Sequence, residues 1–208
     1  MSQRESIIEE FHKLYYYDDK TTTYWNNIQI LKTPLDLWIF QEIINEIKPD
    51  LIIETGTCTG GSALFLANLF DLIGSGEVIT IDIEHREKRP KHDRIHYILG
   101  SSLDDLTLKT IIEYPDFPNM RVMVILDSDH VKSHVLKELE VYSKLVTKGS
   151  YLIVEDTDVN GHPIYPEFGD GPLEAVEEFL KTHSEFEIDK SREKFMMTSN
   201  PSGYLKRL

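Results

Sequence analysis

Residues 50–82 read DLIIETGTCTGGSALFLANLFDLIGSGEVITID, and this stretch decides the fold. Leu51, Ile52 and Ile53 run without polar alternation into Glu54 and a turn holding Gly56, Gly60 and Gly61. An apolar segment, SALFLANLFDLI, follows and closes at Gly74, which is helix length with a helix stop. A second continuous run, VITID, ends in Asp82. Strand, glycine turn, helix and strand make a βαβ unit. Strands apolar at every position belong to a parallel sheet covered on both faces.

The pattern continues downstream. IHYILG (95–100), VMVILD (122–127) and SYLIVED (150–156) are predicted strands. Helices are predicted over 103–112, in VLKELEVYSKLV (135–146) and in PLEAVEEFLKT (172–182). EFEID (185–189) and KFMMTSN (194–200) are predicted as a closing strand pair, joined too tightly for a helical crossover, so one runs antiparallel at the sheet edge. Upstream, Ile7, Ile8, Phe11 and Leu14 recur at helical spacing over 6–14. The stretch YYYDDKTTTYWNN (15–27) is predicted as an ordered loop. A second helix is expected over 34–47, capped by Thr33 and opened by Pro34. The expected architecture is an α/β, Rossmann-like, seven-stranded, mostly parallel sheet with an antiparallel edge strand and helices on both faces. A short helical cap over 1–48 precedes the 49–208 core.

The 208 residues suit one domain, and the 40% hydrophobic and 28% charged fractions suit a globular one. Thirty-six acidic against 22 basic residues give a net charge of −14, a field that repels phosphate backbones, so no nucleic-acid partner is expected. No apolar run approaches a membrane span, and the N-terminal stretch lacks a signal-peptide core. The single Cys58 excludes an internal disulfide and fits a reducing, cytoplasmic setting. With no histidine beside it in sequence, Cys58 reads as a small apolar filler.

In open parallel sheets ligands sit beyond the carboxyl ends of the strands, so those residues carry the function. After the first strand, the spacing G-x-x-x-G-G over 56–61 differs from the G-x-G-x-x-G of dinucleotide binders, yet it allows close ligand approach and presents the free N–H groups of a helix start. Asp82 ends the next strand where an acid accepts ribose hydroxyls; the alternative is a solvated strand-end acid. Gly100, Ser101 and Ser102 follow the third, where Ser102 either lines an adenine or caps a helix. Asp127, Asp129 and His130 follow the fourth strand, and Glu155, Asp156 and Asp158 the fifth. Carboxylates gathered at two neighbouring strand ends repel one another unless a hard divalent cation offsets the charge. Tyr24 and Trp25 either wall a substrate pocket or pack, and the loop holding His162 and Pro163 is expected to act as a lid.

TYW (23–25), LKTPLDLW (31–38), ETGTCTGGSALFLA (54–67), ILDSDH (125–130), YLIVEDTDVNGHP (151–163) and the terminal TSNPSGYLKR together resemble the cephalosporin hydroxylase / rhamnosyl O-methyltransferase family. The resemblance runs from about residue 23 to the end. It implies the class I fold of methyltransferases that use S-adenosylmethionine (SAM). It implies SAM at Glu54, Gly56, Thr57, Gly60, Gly61 and Ser62, with Asp82 at the ribose, Ser101 and Ser102 near the adenine, and Asp127 near the methionine part. It implies Mg²⁺ on Glu155, Asp156 and one of Asp127 and Asp129, with Asp129 favoured. The acceptor is then a hydroxyl of a sugar-containing substrate, glycan or natural product, and assembly into a homo-oligomer is suggested.

Methyl transfer to oxygen needs the hydroxyl deprotonated and in line. His130 is the first candidate base and Lys132 the second; Asp127 stands beside them. Three rival readings compete. An NAD-dependent oxidoreductase fits Asp82 but not the glycine spacing. An iron oxygenase would draw on His130 and His134, four apart on a shared helix face, with Asp127. A degenerate partner subunit with this fold would lack binding of both SAM and Mg²⁺.

Overall fold

The computed structural model describes residues 2–17 and 22–208. The chain opens with α1 (Gln3–Tyr17), longer at both ends than the Ile7 to Leu14 pattern alone suggests. The expected loop over 15–27 is resolved differently: its first three residues extend α1, 18–21 lie outside the described residues, and the rest enters a hairpin. Strands β1 (Thr23–Trp25) and β2 (Ile28–Ile30) pair antiparallel across Asn26 and Asn27, both left-handed at φ 46° and 63°. Two asparagines between short strands are a hairpin signal, because Asn tolerates the positive φ such turns require.

Helix α2 (Pro34–Ile47) begins as expected. Thr33 accepts the Asp36 N–H at 3.1 Å, and Pro34 stands in the first turn. Then come β3 (Leu51–Thr55), α3 (Gly61–Ile73), β4 (Glu77–Asp82), β5 (Ile95–Leu99), α4 (Asp105–Ile112), β6 (Val122–Leu126), α5 (Lys132–Tyr142), β7 (Tyr151–Val154), α6 (Pro172–Phe179), β8 (Phe186–Ile188) and β9 (Tyr204–Arg207). The seven-stranded sheet has the order β5-β4-β3-β6-β7-β9-β8. Strands β3 to β7 are parallel, and β9 runs antiparallel to both β7 and β8. The reversed strand therefore lies one position in from the edge. It is formed by YLKR, not by KFMMTSN, which is irregular here.

Alternate strand residues supply the two cores. Ile52, Val78, Met123 and Ile153 meet α2 and α3, whereas Leu51, Ile53, Val124 and Leu152 meet α5 and α6. Both faces are dry, so every position of β3 and β6 is buried. Strand order reverses between β3 and β6, and their carboxyl ends, Thr55 beside Leu126, open into a crevice at this switch point. A side chain at Gly56, φ +89°, would collide with the Asp127 carbonyl, so only glycine lets the two ends close up this far.

Candidate active site

The crevice is lined by Gly56, Thr57, Cys58, Thr59 and Ser62 after β3, by Asp82 after β4, by Ser101 and Ser102 after β5, by Asp127, Asp129 and His130 after β6, and by Asp156 after β7. Lys32, from the chain between the hairpin and α2, closes it on one side.

The β3 turn is internally saturated. Glu54 lies fully buried beneath it rather than in the crevice, accepting the Ser62 hydroxyl and, at 2.7 Å, the Thr80 hydroxyl. Burial pushes its carboxyl up, against the pull of Lys32. Gly61 faces the Gln29 backbone and Gly60 faces Pro90 and Tyr97, so both glycines serve packing rather than the cleft. Thr59 Oγ1 donates to the Gln29 carbonyl at 2.6 Å, tying turn and hairpin together. Asp82 accepts the Cys58 N–H at 2.8 Å, the Glu84 N–H at 2.9 Å and Arg89 Nη2 at 2.7 Å. A carboxylate has about four acceptor positions, so roughly one remains for a ligand hydroxyl.

The β6 and β7 ends are charged. Asp127, His130 and Asp156 each bring a donor atom within 4.8 Å of the others. His130 Nε2 stands 3.1 Å from Asp156 Oδ2. Burial at the cleft floor pushes the Asp156 carboxyl up to about 7, opposed by His130 and reinforced by Asp127. The cluster brings in Asp127 rather than Asp129, which is exposed and accepts the Val131 N–H at 2.8 Å. Glu155 points to Lys32, whose Nζ is 2.5 Å from Glu155 Oε1 and 2.7 Å from Asp127 Oδ2. Burial alone would lower Lys32, but Asp127 and Glu155 outweigh it and hold the ammonium well above its ordinary value. Two carboxylates, from two strand ends, thus share one fixed cation. The Asp127 and Asp156 carboxylate oxygens, in a cleft with surplus negative charge, are donors that fit a hard divalent ion, with the His130 imidazole beside them.

Lys132 does not reach the cleft: it pairs with Asp170 and Glu178, each at 3.1 Å. The histidine pair of the iron reading is not assembled either. His130 precedes α5, while His134 turns to Ser102 at 3.4 Å and to Glu138 at 3.5 Å. The loop after β7 is tied down rather than free as a lid. Glu174 receives Asn160 at 2.8 Å and contacts His162 at 2.9 Å, and His12 of α1 pairs with Asp158 at 2.8 Å inside the protein. Trp25 packs edge-on against Phe65 and donates to Asn68 at 2.9 Å, while Tyr24 is exposed.

Sequence reading missed three groups. Lys32 carries no local signal, because nothing in the neighbouring sequence marks a lysine for burial. Asp36 accepts from Thr33, Thr198, Tyr204 and the Ser199 N–H, joining α2 to the C-terminal tail. Asn200 receives the Asp156 N–H at 3.1 Å and so helps set that residue's left-handed φ of 54°. Beside this loop Tyr165, φ +46°, donates its N–H to the Tyr17 hydroxyl at 2.7 Å, and its ring meets Tyr16 and Tyr17 edge-on.

The family described as Rhamnosyl O-methyltransferase/CmcI matches residues 17–208. The chain belongs to this family. It is accordingly a SAM-dependent O-methyltransferase. A Rhamnosyl O-methyltransferase of Mycobacterium leprae is 40% identical over 213 residues, covering 98% of this chain and 91% of the relative. One from Mycobacterium tuberculosis (strain ATCC 25618 / H37Rv) is 39% identical over 214 residues, covering 98% and 86%. Among solved structures, CmcI with Mg and SAM aligns with a TM-score of 0.69 at 20% identity, over 89% of this chain and 76% of that one, a likeness of fold.

Proposed function

We propose that this methyltransferase acts on a sugar hydroxyl, with a divalent ion of the Mg²⁺ type held by Asp127 and Asp156, Glu155 standing beside them. The observation that carries this reading is the Asp127, His130 and Asp156 cluster at the switch point of the sheet. When bound, SAM supplies an electrophilic methyl group, and the ion lowers the pKa of a nearby hydroxyl.

The chain's own residues do the rest. Gly56, Thr57 and Ser62 frame the SAM side, with Asp82 at its ribose and Ser101 and Ser102 at its adenine. His130 Nε2 pairs with the Asp156 carboxylate, which orients the ring, and the other ring nitrogen, Nδ1, takes the acceptor proton. Asp129, the ligand favoured by resemblance, is placed at the cleft mouth by its bond to Val131. Tyr17 and Tyr165, 49% and 42% exposed and packed edge-on against each other, are the aromatic groups assigned to flank the acceptor sugar. Bulky residues held at positive φ near a cleft are strain that packing must offset, as at ligand clamps. The rhamnosyl acceptors named for the relatives make rhamnosides the first substrates to test.

The test is methyl transfer from SAM to a panel of rhamnosides, other glycosides and catechols, after EDTA treatment and with Mg²⁺ restored. Transfer to glycosides that disappears with EDTA and returns with Mg²⁺ is expected. Full turnover in the chelated enzyme overturns the ion, and turnover on catechols alone overturns the sugar acceptor.

A further inference from the structure

We propose that Lys32 is a built-in counter-cation of the acid cleft, one that competes with the divalent ion for Asp127 and Glu155 and so sets how tightly the ion is held. The inference rests on the ion-binding reading above and goes beyond it.

Three observations carry it. First, the ammonium bridges carboxylates from two different strand ends, Asp127 after β6 and Glu155 after β7, at 2.7 and 2.5 Å. Its side chain is only 2% exposed, so water screens this contact little. Second, the oxygens it holds are the hard anionic donors the cleft offers to a metal. Asp127 belongs to the cluster with His130 and Asp156, and Glu155, next in the chain to Asp156, lies outside that cluster and on Lys32. Third, Lys32 cannot withdraw far. Its carbonyl accepts the Thr23 hydroxyl at 3.3 Å, Thr33 caps α2 directly after it, and Ile30, two residues before it, is buried in the core.

A lysine ammonium has three donors and no acceptor. It can neutralise these carboxylates but cannot share a metal's coordination shell as a ligand. Two cations drawn to the same oxygens repel each other, and within a few ångströms that repulsion alters an equilibrium by a factor of ten or so even under strong screening. Lys32 therefore has two linked effects. It keeps the acids together when they would otherwise repel. It also lowers the affinity for the ion, so that the ion exchanges rather than being locked in.

The experiment is Mn²⁺ binding to the full chain, read by loss of the free-ion electron paramagnetic resonance signal, in wild type, Lys32→Met and Lys32→Arg. Lys32→Met is expected to bind Mn²⁺ about tenfold more tightly or better, and Lys32→Arg to stay near wild type. In melting curves Lys32→Met should fall below wild type in EDTA, where its acids are unpaired, yet gain more from saturating Mg²⁺. A folded Lys32→Met protein with equal or weaker Mn²⁺ affinity overturns the proposal. Should that variant not fold, the wild type decides: with ¹⁵N-labelled lysine, the Lys32 Nζ resonance should move as Mg²⁺ is added. A resonance unmoved at saturation overturns it. Mn²⁺ binding to wild type with no gain in Lys32→Met defeats this inference alone. No binding to either protein defeats the ion-binding reading as well.

Discussion

The turn after β3 and the turns after β6 and β7 face each other across one crevice, and they are built on opposite principles. Beneath the first, Glu54 has both oxygens occupied by hydroxyls, and Asp82 has most of its acceptor positions filled. In the second, Asp127 and Glu155 share a single buried ammonium, Asp156 pairs with His130 beside them, and its carboxyl is pushed up to about 7. A saturated turn is finished once the chain folds, and its polar groups contribute stability. A cleft with surplus like charge costs stability and gains from whatever cation or proton enters it. The difference separates the half that shapes the pocket from the half that performs chemistry.

The largest effect should come from the charged half. His130→Ala is expected to lower kcat by about 10²- to 10⁴-fold, with little change in melting temperature, because the ring is partly exposed and its pairing with Asp156 lies in the open cleft. Steady-state kinetics alongside a melting curve checks both; a large melting loss with normal turnover would reverse the contrast. On the other side, Glu54→Ala should cost about 2 to 4 kcal/mol, since it empties a buried site and strands the Ser62 and Thr80 hydroxyls. Chemical denaturation measures it, and a loss below about 0.5 kcal/mol, the scale of neutral surface changes, would show that the turn is not the rigid half.

The loop that carries Asp156 sharpens the comparison through pH. Glu174 is held down to about 2, despite burial, by His162, Asn160 and the Gly171 N–H. Because its folded value lies below the ordinary carboxyl value, its stabilisation is complete above about pH 4.5 and is lost as pH falls towards 2. Melting temperature should decline through that window more steeply in wild type than in Glu174→Gln, and parallel curves would count against the anchor. The smallest effect belongs to the rim. Tyr165→Gly removes an aromatic face and relieves a positive φ, so acceptor KM should rise about fivefold, roughly 1 kcal/mol, while thermal stability holds or improves slightly. An unchanged KM would place the acceptor elsewhere.

Sequence alone determined the parallel sheet, the helix starts at Pro34 and Pro172, a ligand site at the carboxyl ends of the strands and the acids found there. These follow from periods and caps, which are local and repeat along the chain. It also gathered Asp127, Asp129, His130, Glu155 and Asp156 as candidates, with Asp129 favoured as ligand by resemblance, since residues after neighbouring parallel strands lie at one edge of the sheet. Only the tertiary structure decided which acids meet a cation, that Lys132 turns away, and that Glu54 supports the turn from below. It also showed YLKR as the reversed strand and Asn200 beneath Asp156. Most of those outcomes depend on side chains far apart in the sequence finding one another. Lys32 reaches Glu155 across 123 positions and Asn200 reaches Asp156 across 44. A lysine's burial is decided by the carboxylates waiting for it, and no pattern within a single helix or strand records that.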